Sequence, residues 1–87
     1  MKIVQLRNSK GNSIPNQWSI QADDGTIFFQ SYNSIIAKVK SGKIILDGYY
    51  WNYSKTTSKY LFMFLNMNRK EVLEKIKNNE ISFSNLN

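Results

Sequence analysis

The tetrapeptide Ala22-Asp23-Asp24-Gly25 stands between two short segments that alternate apolar and polar residues, and this arrangement dictates an antiparallel hairpin. Before it, Gln17 to Gln21 puts Trp18 and Ile20 on one side and Gln17, Ser19 and Gln21 on the other. After it, Thr26 to Gln30 answers as a second strand, with glycine supplying the positive φ of the tight turn. Residues 1–7 carry Ile3, Val4 and Leu6 between polar neighbours and read as a further strand, joined through the polar stretch from Asn8 to Asn16. A three-strand antiparallel meander is therefore expected to open the chain.

Beyond Gln30 the period changes. Tyr32, Ile35, Ile36 and Val39 fall at i, i+3, i+4 and i+7, which predicts a short helix stopped by Ser41-Gly42, although these β-branched residues would also suit a strand. Lys43 to Asp47 reads as a strand, and Gly48 marks a bend. A second helix is expected over about Thr57 to Leu65, with Tyr60, Leu61, Phe64 and Leu65 on its apolar face and Ser54, Thr56 or Thr57 as its cap. Asn68 with Glu71 makes a capping-box start for a third, from Arg69 to Asn78, striped by Val72, Leu73 and Ile76. Ile81 to Ser84 alternates and either adds a last strand or packs its apolar residues on the domain edge. The expected class is α+β: a small antiparallel sheet, the meander plus one or two further strands, packed against two or three short helices on one face. The other face is left for function.

Eighty-seven residues make a single small basic domain over residues 1–87, and a hydrophobic content of 41 % is enough to give it a core. The absence of cysteine removes disulfides and thiolate catalysis; the absence of histidine removes the commonest metal ligand and general base. The six acids, Asp23, Asp24, Asp47, Glu71, Glu74 and Glu80, are scattered, and Asp23-Asp24 is explained by turn chemistry. A non-enzymatic protein with no cofactor and no metal is the expectation. The longest apolar run, Tyr60 to Leu65, falls far short of the roughly 20 residues of a membrane-spanning helix. The N-terminal residues lack the apolar core of a signal peptide, so a cytoplasmic protein without a membrane partner is expected.

The net charge of +6 is concentrated rather than spread. Between Gly25 and Lys70 lie Lys38, Lys40, Lys43, Lys55, Lys59, Arg69 and Lys70 against the single acid Asp47. Such a field raises the local concentration of a polyanion. The densest chemistry is in residues 49–65, where Trp51, Tyr53 and Tyr60 interleave with Lys55 and Lys59 at the start of the expected helix. Aromatics stack bases while lysines hold phosphates, and a helix N-terminus adds free N–H groups. These five residues, with Lys38, Lys40 and Lys43, form the candidate surface for nucleic acid or a partner protein. The plainer reading of the same residues is that the hydroxyls cap, the lysines solvate and the rings form a half-buried core rim. Non-specific nucleic-acid binding is the leading function. The alternative is a protein-binding inhibitor or modulator of a host system, such as a defence nuclease or the transcription machinery, or a virion-associated structural protein.

Several stretches, Asn16-Gln17-Trp18, Phe29-Gln30-Ser31-Tyr32 with Ile35-Ile36-Ala37, Gly42-Lys43, and the run from Tyr50 to Tyr60, resemble a family of small uncharacterised proteins of bacteriophages and related mobile elements. The similarity extends from about Met1 to Leu86. It implies an accessory factor that binds something of the host or of the phage genome in the host cytoplasm, and carries over no functional residues.

Overall fold

The computed structural model describes residues 1–87. Five strands follow in succession, β1 (Lys2–Arg7), β2 (Ser13–Gln21), β3 (Ile27–Ser31), β4 (Ser34–Lys40) and β5 (Lys43–Asp47), then the helices α1 (Lys55–Leu65) and α2 (Arg69–Lys77), and finally β6 (Ile81–Ser84). The six strands form one sheet in sequence order. The first four pairings are antiparallel; β5 and β6 run parallel, which the α1–α2 crossover between them permits.

This overturns the expected fold class in two respects. The sheet is a six-strand mixed sheet rather than an antiparallel one of four or five strands, and the segment from Tyr32 to Val39 is strand, not helix. The cause lies in a bulge. Ala37 pairs with Phe29 and Ile35 with Gln30, so Ile36 is an extra residue on β4. Ile36 and Ala37 both end up buried, and two successive inward residues break the period of two into a pattern that imitates a helix. Ser41-Gly42 is likewise a hairpin turn rather than a helix cap: both residues have positive φ, as a type I′ turn requires, and Lys40 pairs with Lys43 across it.

The Asp-Gly hairpin forms as its sequence dictates. The Ala22 N–H donates to the Thr26 carbonyl at 2.8 Å and Gly25 sits at φ 90. The strand before it reaches back to Ser13, into a stretch expected to be loop, because β2 accommodates a wide bulge there. Two steps along β1, from Gln5 to Arg7, are matched by five along β2, from Trp18 to Ser13. Pro15 is tolerated in that bulge because no ladder hydrogen bond needs its missing N–H.

Both helices lie on one face of the sheet. Phe29 of β3 is fully buried and stacks on Phe64 of α1 with ring centroids 5.3 Å apart. Leu61, Val72, Leu46 and Ile81 complete the centre of the core. Ser54 caps α1 by accepting from the Thr57 N–H at 3.1 Å, and left-handed Asn66 closes it. Asn68 and Glu71 form the capping box of α2, with the Glu71 N–H donating to Asn68 Oδ1 at 2.8 Å. No helix is long and apolar enough to cross a membrane.

Candidate functional site

The face turned away from the helices has no protein layer over it, and strand register states which residues it carries. Cross-strand partners share a face. Starting from Ile3, the register runs Ile3–Ile20–Phe28–Lys38–Ile45–Ser82, one transverse row across all six strands. Beside it lies a shorter row, Gln5–Trp18–Gln30–Ile35. None of these residues belongs to the helix-side core. The open face is thus an apolar and aromatic platform with Lys38 in its middle.

The polarity of β2 is the unexpected feature. Trp18 and Ile20 point to the open face, whereas Gln17 and Ser19 lie on the side of Phe29 and the helices. An amphipathic strand that turns its apolar edge away from the core leaves apolar surface for a partner. The cost is visible on the covered side. Gln17 and Ser31, cross-strand partners there, are buried, and neither Gln17 Oε1 nor Ser31 Oγ has a hydrogen-bonding partner.

Charge on this platform comes from three of the lysines singled out by sequence. Lys38 and Lys40 alternate on β4, and Lys43 pairs with Lys40. Lys40 Nζ donates to Asp24 Oδ2 at 3.2 Å. The N–H (2.9 Å) and hydroxyl of Thr26, and then this bond from Lys40, bring the exposed Asp24 carboxyl down to about 2. Lys38 and Lys43 remain as cations without an ion-pair partner.

The other five candidate residues lie elsewhere, around the start of α1 on the helix side. Tyr53 is 64 % exposed and clusters with Tyr49 and Tyr50, with ring centroids 4.7–5.9 Å apart. Trp51 is half-buried and its ring lies 5.7 Å from that of Phe83; Tyr60 packs against the core, with Lys59 Nζ 5.3 Å from its ring centroid. The hydroxyls at the helix start are mostly engaged: Ser54 Oγ caps, and Ser58 Oγ donates to Asn52 Oδ1 at 3.2 Å. Lys55 and Lys59 are exposed. The eight candidate residues therefore form two groups on opposite sides of the sheet, and only the lysine triplet adjoins a broad platform.

Asp47 fixes the tyrosine loop. Burial pushes its carboxyl up, but hydrogen bonds from the N–H groups of Leu86, Tyr50 and Tyr49 and from Asn87 Nδ2, at 2.8–3.1 Å, outweigh this and hold it below the usual carboxylate range. No Lys or Arg pairs with it. Its function is structural, tying residues 86–87 to the turn after β5.

Two clefts flank these surfaces. The larger, about 530 Å³, lies on the helix side between the end of α1 and the sheet, lined by Ile27, Val39, Ile44, Met63 and Phe64 among others. Its one charged lining residue, Arg7, is bonded to the Gly11 carbonyl at 2.8 Å, so the cleft lacks convergent polar groups. The other, about 460 Å³, opens at the Trp18 end of the platform. No three His, Cys, Asp or Glu side chains come together in a cluster able to hold a metal ion.

Trp18, Phe28 and Tyr32 were not among the candidates read from sequence. The signal was present in the alternation of β2, but alternation alone does not say which side the helices cover.

A family model described as "Family of unknown function (DUF8033)" matches residues 1–82, and the chain belongs to that family. Membership brings no activity with it and does not fix a bacteriophage or mobile-element origin. No curated protein and no solved structure matches the chain.

Proposed function

We propose that this protein is a small accessory factor, of the kind bacteriophages and mobile elements encode, that binds single-stranded nucleic acid across the open face of its sheet. The observation that carries the reading is the contiguous placement of Trp18, Phe28 and Lys38 on a face with no other protein layer. Unstacked bases lie on aromatic rings at about 1–3 kcal/mol each, and Lys38 and Lys43 neutralise phosphates between them. The ring faces accept any base, so affinity is general across most of the platform and falls as salt rises. The role is binding rather than catalysis.

The test is a titration of labelled single-stranded DNA and RNA at two salt concentrations with two double variants. Phe28→Ala/Lys38→Gln is expected to weaken binding at least tenfold, and Lys55→Ala/Lys59→Ala to change it less than about threefold, since remote charges are screened beyond about 10 Å at 0.1 M salt. The reverse ranking refutes the assignment of the face.

A second reading draws on the Tyr49, Tyr50 and Tyr53 cluster. Exposed tyrosines anchor protein interfaces, and Tyr49 and Tyr53, packed on the half-buried Tyr50 with Lys55 beside them in sequence, suit an acidic surface of a host protein. Capture of an acidic host protein that fails with Tyr53→Ala, and persists with Phe28→Ala, would establish this second role.

A further inference from the structure

The cleft at the Trp18 end of the platform differs in chemistry from the rest of that face. Its lining combines two aromatic rings, Trp18 and Tyr32, with three carboxamides, Asn16, Gln30 and Asn33, over a floor that includes Ile3 and Ile20. Asn16, Asn33 and Tyr32 are presented to solvent, Tyr32 with 58 % of its surface exposed. Gln30 donates one amide N–H to the Tyr32 carbonyl at 2.8 Å and keeps its own carbonyl oxygen as an acceptor.

The backbone here is held in conformations that side chains rarely adopt. Asn16 sits at φ 64, in the bulge of β2, and Tyr32 at φ 54, in the two-residue turn between β3 and β4. The two are locked together by the Tyr32 N–H donating to the Asn16 carbonyl at 2.8 Å. Asparagine tolerates the left-handed region; an aromatic residue does so only under strain, where glycine would be at ease. Strain of this kind persists when the surrounding structure imposes it, and it aims the Tyr32 side chain from the turn into the cleft beside Trp18.

Resting on the sheet-face reading, we propose that this cleft seats one base of a bound single strand, and that adenine is the base it fits. A planar ring enters beside Trp18 and Tyr32, and the carboxamides meet its edge. A carboxamide offers one acceptor next to one donor, which meets the N6 amino group and N7 of adenine. Cytosine and thymine edges also carry a donor beside an acceptor, and it is the larger two-ring face of the purine, stacked on Trp18 and Tyr32 while its edge meets the carboxamides, that favours adenine. The volume of about 460 Å³ admits one base with part of its sugar, and the strand continues over Phe28 toward Lys38 and Lys43. Binding that is general over the platform thereby acquires a preference at one position.

The experiment uses the full chain and short single-stranded homopolymers of A, C and T at one low salt concentration, read by fluorescence anisotropy. Oligo(A) is expected to bind about tenfold more tightly than oligo(C) or oligo(T), the combined effect of wider purine stacking and an edge contact held at that position. Asn33→Ala and Asn16→Gly, both compatible with the local backbone, are expected to level the three affinities without abolishing binding. Tyr32→Gly is expected to lose the preference for A while thermal stability stays level or rises, which separates a ligand role from a structural one. Equal affinities in the unaltered protein, or an A preference that survives Asn33→Ala and Asn16→Gly, would overturn the pocket and leave the platform standing. No binding of any homopolymer would overturn both.

Discussion

Phe28 and Phe29 are neighbours in sequence and opposites in role. Phe29 is sealed beneath α1, face to face with Phe64, and helps hold the helices to the sheet. Phe28 points the other way, between Ile20 and Lys38, on a face that no helix covers. The pair teaches that one strand of this protein serves two purposes, cohesion on one side and recognition on the other, and that the dividing plane is the sheet itself.

The largest effect that tests this division is Phe29→Ala. It leaves a cavity under α1 and is expected to cost about 3–5 kcal/mol in urea denaturation, whereas Phe28→Ala costs about 1 kcal/mol or less. Similar losses at the two positions would erase the distinction between the faces. Next comes Asp47, at the end of β5, buried with 2 % of its surface exposed. Asp47→Asn places an amide against donors that need an acceptor, and is expected to cost about 2 kcal/mol. Because the folded carboxyl is held below its ordinary value, its contribution is present in full above the unfolded pKa of about 3.9 and is lost as pH falls through the folded value. Acid unfolding of the Asn variant should therefore show a shallower dependence on pH below about 4 than the parent.

Smaller effects sharpen the open side. Lys38→Gln with Lys43→Gln is expected to leave stability within about 0.5 kcal/mol and to reduce the salt dependence of binding by about 1.4 in log–log slope, two phosphate contacts at roughly 0.7 each for a single strand. An unchanged slope would remove these lysines from the interface. The smallest effect belongs to Ser31→Ala on the covered side. Its hydroxyl is buried without a partner, so the change should be neutral or stabilising by up to about 1 kcal/mol in thermal denaturation, unlike the usual loss from altering a buried polar residue.

Much of the fold was written in local signals. The Asp-Gly turn, the Ser54 cap and the Asn68–Glu71 capping box all rest on contacts within a few residues, and such contacts are visible in a sequence. The strand β4 was not, because its bulge sets Ile36 and Ala37 on the same side and so imitates a helical period. The site was harder still. Sequence drew attention to the crowded run around Trp51 and Tyr60, but those two rings are used by packing against Phe83 and the core. Alternation put Trp18 and Ile20 on one face of their strand without saying which face the helices would cover. Only the placement of α1 and α2, decided by contacts distant in sequence, turns Trp18 outward and makes a surface of it.

The two tryptophans make the central claim directly measurable, since Trp18 lies on the open face and Trp51 on the packed loop. Single-stranded DNA added at low salt to the single-tryptophan variants Trp51→Phe and Trp18→Phe should quench the fluorescence of the first strongly, and that of the second little. Quenching confined to Trp18→Phe, where Trp51 alone reports, would contradict the account and move the binding surface to the tyrosine loop and the start of α1.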